Sequence, residues 1–143
     1  MTITRSQRNP HDVLVFIDVS GSTSKHISQQ YMSDSVRHII NLAGSSGISV
    51  YESNHNLTQH YFCNPASSIP IIDFKFTGTS AVYDNIVNCM RHRFNYNSDD
   101  PCYVIIISDL EDNMSVLNKK HFQNYIDMMS NIWTIDILHP KTL

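Results

Sequence analysis

A chain of 143 residues with 41% hydrophobic and 16% charged residues has room for one hydrophobic core but not two, so one compact domain is expected, with no disorder expected beyond its ends. Its formal net charge of -3 gives no broad attraction for a phosphate backbone, so nucleic-acid binding is not the default. No apolar run reaches the ~18 residues of a membrane span, and Met1 to Asp12 lacks the apolar stretch of a secretory signal; a cytoplasmic protein with no membrane contact is expected. The three cysteines, Cys63, Cys89 and Cys102, have no Cys-x-x-Cys spacing. They predict buried free thiols in a reducing compartment, not a disulfide framework or a zinc site.

In chain order, Thr2 to Asp12 reads as a short lead-in with no periodic apolar pattern. Val13 to Ile17 is an apolar run without alternation, the pattern of a strand covered on both faces, and it stops in Asp18, Ser20, Gly21, Ser22 and Thr23, a tight polar turn. Ser24 to Ala43 predicts a helix with Ile27, Tyr31, Met32, Val36, Ile39, Ile40 and Ala43 as its inward stripe. Gly44 to Gly47 is its stop. Ile48 to Glu52 and Leu57 to Phe62 are β-rich runs separated by a short polar segment, hence an antiparallel hairpin towards a sheet edge. Cys63 to Phe76, with two prolines, reads as irregular connection. Thr77 to Ser80 predicts a loop ending in a cap, followed by a helix with Val82, Ile86, Cys89, Met90 and Phe94 at helical spacing. After a polar loop over Asn95 to Pro101, Cys102 to Ile107 is a second strongly apolar strand, and it too ends in a hydroxyl and a carboxylate, Ser108 and Asp109. A helix over Ser115 to Ser130, with Val116, Phe122, Tyr125, Ile126 and Met129 inward, and a last strand over Ile132 to Leu138 complete the chain.

Strand, helix and strand in alternation imply a parallel sheet with right-handed crossovers and helices on both faces. If the two most apolar strands lie side by side at its centre, Asp18 and Asp109 come to the same sheet edge, close enough to share one ion. Hydroxyls and carboxylates are the oxygen donors that hard divalent cations prefer.

The pattern Asp18-x-Ser20-x-Ser22, then Gly78-Thr79 opening a helix, then Ser108-Asp109 after a strand resembles the von Willebrand factor A domain, also called integrin I-like. The resemblance implies one minimal domain over residues 1–143. Its fold would be a three-layer α/β arrangement: an open, mostly parallel Rossmann-like sheet of about five strands, helices on both faces and one antiparallel edge strand. In that family these segments form a metal-ion-dependent adhesion site. By resemblance, Ser20, Ser22 and Thr79 are hydroxyl ligands of Mg²⁺, with Mn²⁺ or Ca²⁺ as alternatives, while Asp18 and Asp109 bind it directly or through water. A carboxylate of a partner protein would complete the shell; an oligomer is compatible with this, and a bacterial or phage source is implied. The sequence departs from the family at Leu110, where glycine commonly follows the metal aspartate, and in ending before the usual final helix and strand.

Other readings stand beside this one. Ser20, Ser22 and Thr23 taken alone are what caps a helix, and Thr77 competes with Thr79. Glu111, Asp112 and Asp84 read as solvated loop or first-turn carboxylates, and the eight histidines as surface or core residues, since no His-x-x-x-His zinc pair occurs. Function therefore ranks as a Mg²⁺-dependent protein-binding module without catalysis. The alternatives are a Mg²⁺-dependent phosphate-processing enzyme and a structural subunit with a vestigial metal motif.

Overall fold

The computed structural model describes residues 12–45, 47–96 and 100–143; the lead-in up to His11 and parts of two expected turns fall outside them. Five strands, β1 (Asp12–Asp18), β2 (Ile48–Ser53), β3 (Leu57–Asn64), β4 (Cys102–Ile107) and β5 (Thr134–Leu138), form one sheet in the order β3-β2-β1-β4-β5. β1 runs parallel to β2 and β4, β5 runs parallel to β4, and only β3, on the edge, is antiparallel. The two runs without alternation are thus the neighbours at the centre. Every residue of β4 is buried, as are Val13 to Asp18 of β1, because helices cover both faces.

Alternate residues of β1 serve opposite cores. Val13, Val15 and Ile17 pack with Met32, Val36, Ile39 and Ile40 of helix α1 (Gln29–Ala43). Leu14 and Phe16 pack with Val82, Ile86 and Met90 of α2 (Val82–Tyr96) and with Phe122 and Ile126 of α3 (Lys119–Met129). Tyr83 stacks on Phe122 at 4.9 Å between ring centres, joining α2 to α3, a geometry that aromatic pairs favour. The result is the expected α/β fold. No helix among the described residues is long and apolar enough to cross a membrane.

Several expectations are corrected. Gly21–Lys25 is a 3-10 turn, and α1 begins only at Gln29, where Ser28 Oγ accepts from Tyr31 N at 3.1 Å. A Ser, Thr and Gly-rich run closes short turns more readily than it extends a helix. Ile27 is therefore buried ahead of α1, and Tyr31 is exposed. α3 likewise starts late, capped by Asn118, and leaves Val116 95% exposed. Gly44 takes the left-handed conformation, φ 57°, and its N–H reaches Ile40 O, closing α1 as expected.

The thiols are free but not all buried: Cys102 is buried, Cys89 half-buried, and Cys63 exposed on the edge strand. Burial pushes the Cys89 thiol up to about 11 and that of Cys102 up to about 12, so both stay protonated and unreactive near neutrality. Ellman's reagent at pH 8 is expected to titrate one thiol per native chain and three after denaturation. Cys63→Ser should remove the native reaction.

Candidate metal centre

The first polar turn is built around the Asp18 carboxylate, which is 1% exposed. Its Oδ1 accepts from Ser20 N at 3.0 Å, Ser20 Oγ at 2.6 Å and Thr23 Oγ1 at 3.3 Å, while Oδ2 accepts from Ser108 Oγ at 2.8 Å across the sheet. A buried carboxylate is tolerated only when its lone pairs are met in this way. Ser20 precedes the 3-10 turn but makes no side-chain cap. Its hydroxyl instead turns to Asp18 and stands 3.3 Å from Ser22 Oγ. Helix capping does not account for this pair.

The third segment follows β4. Ile107 pairs with Ile17, so Asp109 follows one residue after the position level with Asp18. Asp109 Oδ2 meets His26 Nε2 at 2.9 Å, and Oδ1 accepts from Glu111 N at 2.9 Å. Leu110 takes a positive φ of 59°, the conformation that glycine would supply and that costs a residue with a Cβ ~1–2 kcal/mol. Three contacts hold it there: Leu110 N donates to Ser108 Oγ, Leu110 O accepts from the Tyr83 hydroxyl at 2.5 Å, and its side chain packs on the α2/α3 core. The backbone turn survives the loss of glycine because its surroundings over-determine it.

The second segment, Thr77 to Ala81, is bound to the first. Thr77 N donates to Val19 O and Gly21 N to Gly78 O, each at 2.9 Å, with Gly78 at φ 79°. Ser20, Ser22 and Thr79 thereby line one open cleft of about 330 Å³, together with Gly78, Ser80, Glu111, Asp112 and Asn113. Asp18 lies beneath it, joined through Ser20. Asp109 stands at the adjacent strand end, turned to His26, and is not among the lining residues. Thr79, not Thr77, is the cleft hydroxyl. A larger cleft of about 400 Å³ near the start of β1 contains the Asp12–Arg93 ion pair and apolar walls that include Leu14 and Phe62, not a convergence of oxygen donors.

Asp112 and Asp84, expected as solvated charges, instead tie the third segment to α2. Asp112 Oδ2 accepts from Tyr83 N at 2.9 Å and Ser115 Oγ at 2.6 Å, and Oδ1 from Met114 N and Ser115 N. Asp84 accepts from Val116 N at 2.7 Å and Leu117 N at 3.1 Å. Ser80 O accepts from Asn113 N and Met114 N. Most of this loop's amides are held without any secondary structure. No sequence pattern marks these partners, nor His26; Ser108 was visible only as a hydroxyl at a strand end.

The donor set is oxygen throughout. Among the described residues no three His, Cys, Asp or Glu side chains gather into a cluster that could hold a metal. Hydroxyls with one or two carboxylates fit a small hard cation that keeps part of its water. Ser80, also a lining residue, keeps its hydroxyl oxygen buried without a hydrogen-bond partner. The site is also electronegative: burial, and then the charges of Asp112, Glu111 and Asp109, push the Tyr83 hydroxyl above its usual range. No Lys or Arg forms a salt bridge with Asp18 or Asp109 among the described residues.

No protein-family model matches the sequence, and no curated protein matches it. Among solved structures, the ArnB paralog VWA2 from Sulfolobus acidocaldarius superposes with a TM-score of 0.63 at 16% identity, covering 90% of this chain and 33% of its own. Proximal thread matrix protein 1 from the mussel byssus gives a TM-score of 0.61 at 15% identity, covering 91% of this chain and 38% of its own. The chain spans less than two fifths of the length of either. At these identities the likeness concerns the fold, which is von Willebrand factor A-like.

Asp112→Ala strands the Tyr83, Met114 and Ser115 donors. It is expected to lower stability by about 2–3 kcal/mol in urea unfolding, whereas Glu111→Ala, an exposed side chain, should leave the midpoint unchanged.

Proposed function

We propose that the chain is a protein-binding module of the von Willebrand factor A type that holds Mg²⁺ at this cleft and engages an acidic side chain of a partner protein. The observation that carries the reading is the meeting of three separate segments at the carboxyl ends of adjacent parallel strands, where open α/β sheets place their sites. Ser20, Ser22 and Thr79 would hold the ion as neutral donors. Asp18 and Asp109 would offset its charge by their own, and Asp18 would also orient Ser20. The ion supplies a positive centre with a position open to a carboxylate.

Electrostatics makes the partner's binding conditional on the ion. Glu111 and Asp112 line the cleft, so a bare acidic side chain approaching it is repelled, and a divalent cation reverses the sign. The loop that supplies part of the cleft also suits a protein surface. Met114 and Val116, 56% and 95% exposed, project from the loop that carries Glu111, Asp112 and Asn113, and apolar side chains on a fixed loop are what interfaces bury. The reading assigns no catalytic step.

Isothermal titration tests it. The wild-type chain should bind Mg²⁺ and Mn²⁺ saturably at one site. Thr79→Ala, which removes an exposed hydroxyl, should weaken binding about tenfold or more, as loss of a group at a metal site does. Asp18→Ala should abolish it. Absence of saturable heat in the wild type would sink the reading.

A further inference from the structure

We propose that the larger cleft, beside the start of β1, binds a small, uncharged aromatic molecule. It encloses about 400 Å³ between β3 and the C-terminal half of α2, within the ~300–1,000 Å³ usual for small-molecule pockets. Asp12 lies here and Asp18 at the candidate metal centre, so the two clefts take opposite ends of one strand, about 20 Å apart. The proposal is independent of the cation reading.

The cleft has a buried floor and an aromatic mouth. Leu14 and Tyr51 are 3% and 7% exposed, and the Tyr51 ring stacks on Phe16 with 5.2 Å between ring centres, so the floor is fixed before a ligand arrives. Phe62 and Tyr96 line the same cleft at 59% and 84% exposure. A flat ring entering here buries apolar surface of both layers and meets aromatic side chains in the stacked or edge-on geometries that such pairs favour.

Charge complementarity restricts the ligand to a neutral one. The carboxylate and the guanidinium of the cleft already face each other: Arg93 Nε donates to Asp12 Oδ2 at 2.7 Å, and the guanidinium also lies over the Trp133 ring, 5.7 Å from its centre. Burial pushes the Tyr51 hydroxyl and the Cys89 thiol upward, and burial with the Asp12 charge raises the Cys63 thiol, so all three stay protonated near neutrality. His92 also lines the cleft but is exposed, where water screens charge. A charged ligand would lose hydration without gaining an open counter-charge.

Titration with N-phenylnaphthylamine, an uncharged aromatic dye that fluoresces in apolar surroundings, tests this. The wild-type chain should bind it saturably, and indole should displace it while benzoate and benzylamine do not. Phe62→Ala and Tyr96→Ala, at exposed positions, should each weaken binding about threefold or more. Cys63 also lines the cleft, so saturating indole should slow its reaction with Ellman's reagent severalfold. Absence of saturable binding by the wild type overturns the proposal. So does binding that leaves Cys63 unprotected and is indifferent to both variants, which places the dye elsewhere. Displacement by benzoate or benzylamine as readily as by indole overturns the assignment of a neutral ligand.

Discussion

The rest of the site depends on the buried carboxylate of Asp18. It sits at the end of the central strand, and it survives there because Ser20, Thr23 and Ser108 surround it with donors. Those bonds do more than satisfy it. They fold the turn after β1 back on itself, aim Ser20 Oγ beside Ser22, and tie β1 to the segment after β4. An apolar isostere at this position would pack equally well but would release all three hydroxyl-bearing residues.

Rigidity of the third segment has a second origin, also carboxylate. Between β4 and α3 the chain runs from Ser108 to Asn118 with no regular structure, yet Asp84 and Asp112 gather its amides and hydroxyl. The same carboxylate of Asp112 accepts from Tyr83 N at the start of α2, where negative charge also suits the helix dipole. This scaffolding allows Leu110 to keep a left-handed backbone. The strain is local, and the network around it is not, so the turn keeps its shape without the residue best suited to it.

The architecture was legible because β1 and β4 are unbroken apolar runs, which only a sheet covered on both faces accommodates. The hairpin was legible from its β-rich runs, and its edge position from the connection it makes. Helix starts were not. Gly21 to Lys25 carries the residues of a cap, and the true caps, Ser28 and Asn118, lie further on; hydroxyl-rich turns and helix first turns draw on the same side chains. Val116 fits the stripe of α3 by spacing alone, but Asp84 holds its amide in the preceding loop. For the site, the residue pattern located Ser20, Ser22 and Thr79 together. It could not reveal that Asp112 reaches Tyr83, that Asp84 reaches Val116 and Leu117, or that His26 meets Asp109, since those pairs are 29 to 83 positions apart in the chain.

The placement of His26 bears on how the two aspartates divide their work. Asp18 is enclosed by hydroxyl and amide donors and has little freedom to turn towards the cleft; its link to the cleft passes through Ser20. Asp109 is held by one imidazole nitrogen and one amide, and His26 lies on the turn that carries Ser20 and Ser22. Movement of that turn therefore moves both the hydroxyls and the hold on the second carboxylate. The buried aspartate thus fixes the geometry of the first turn, and the second is tied to that turn through His26.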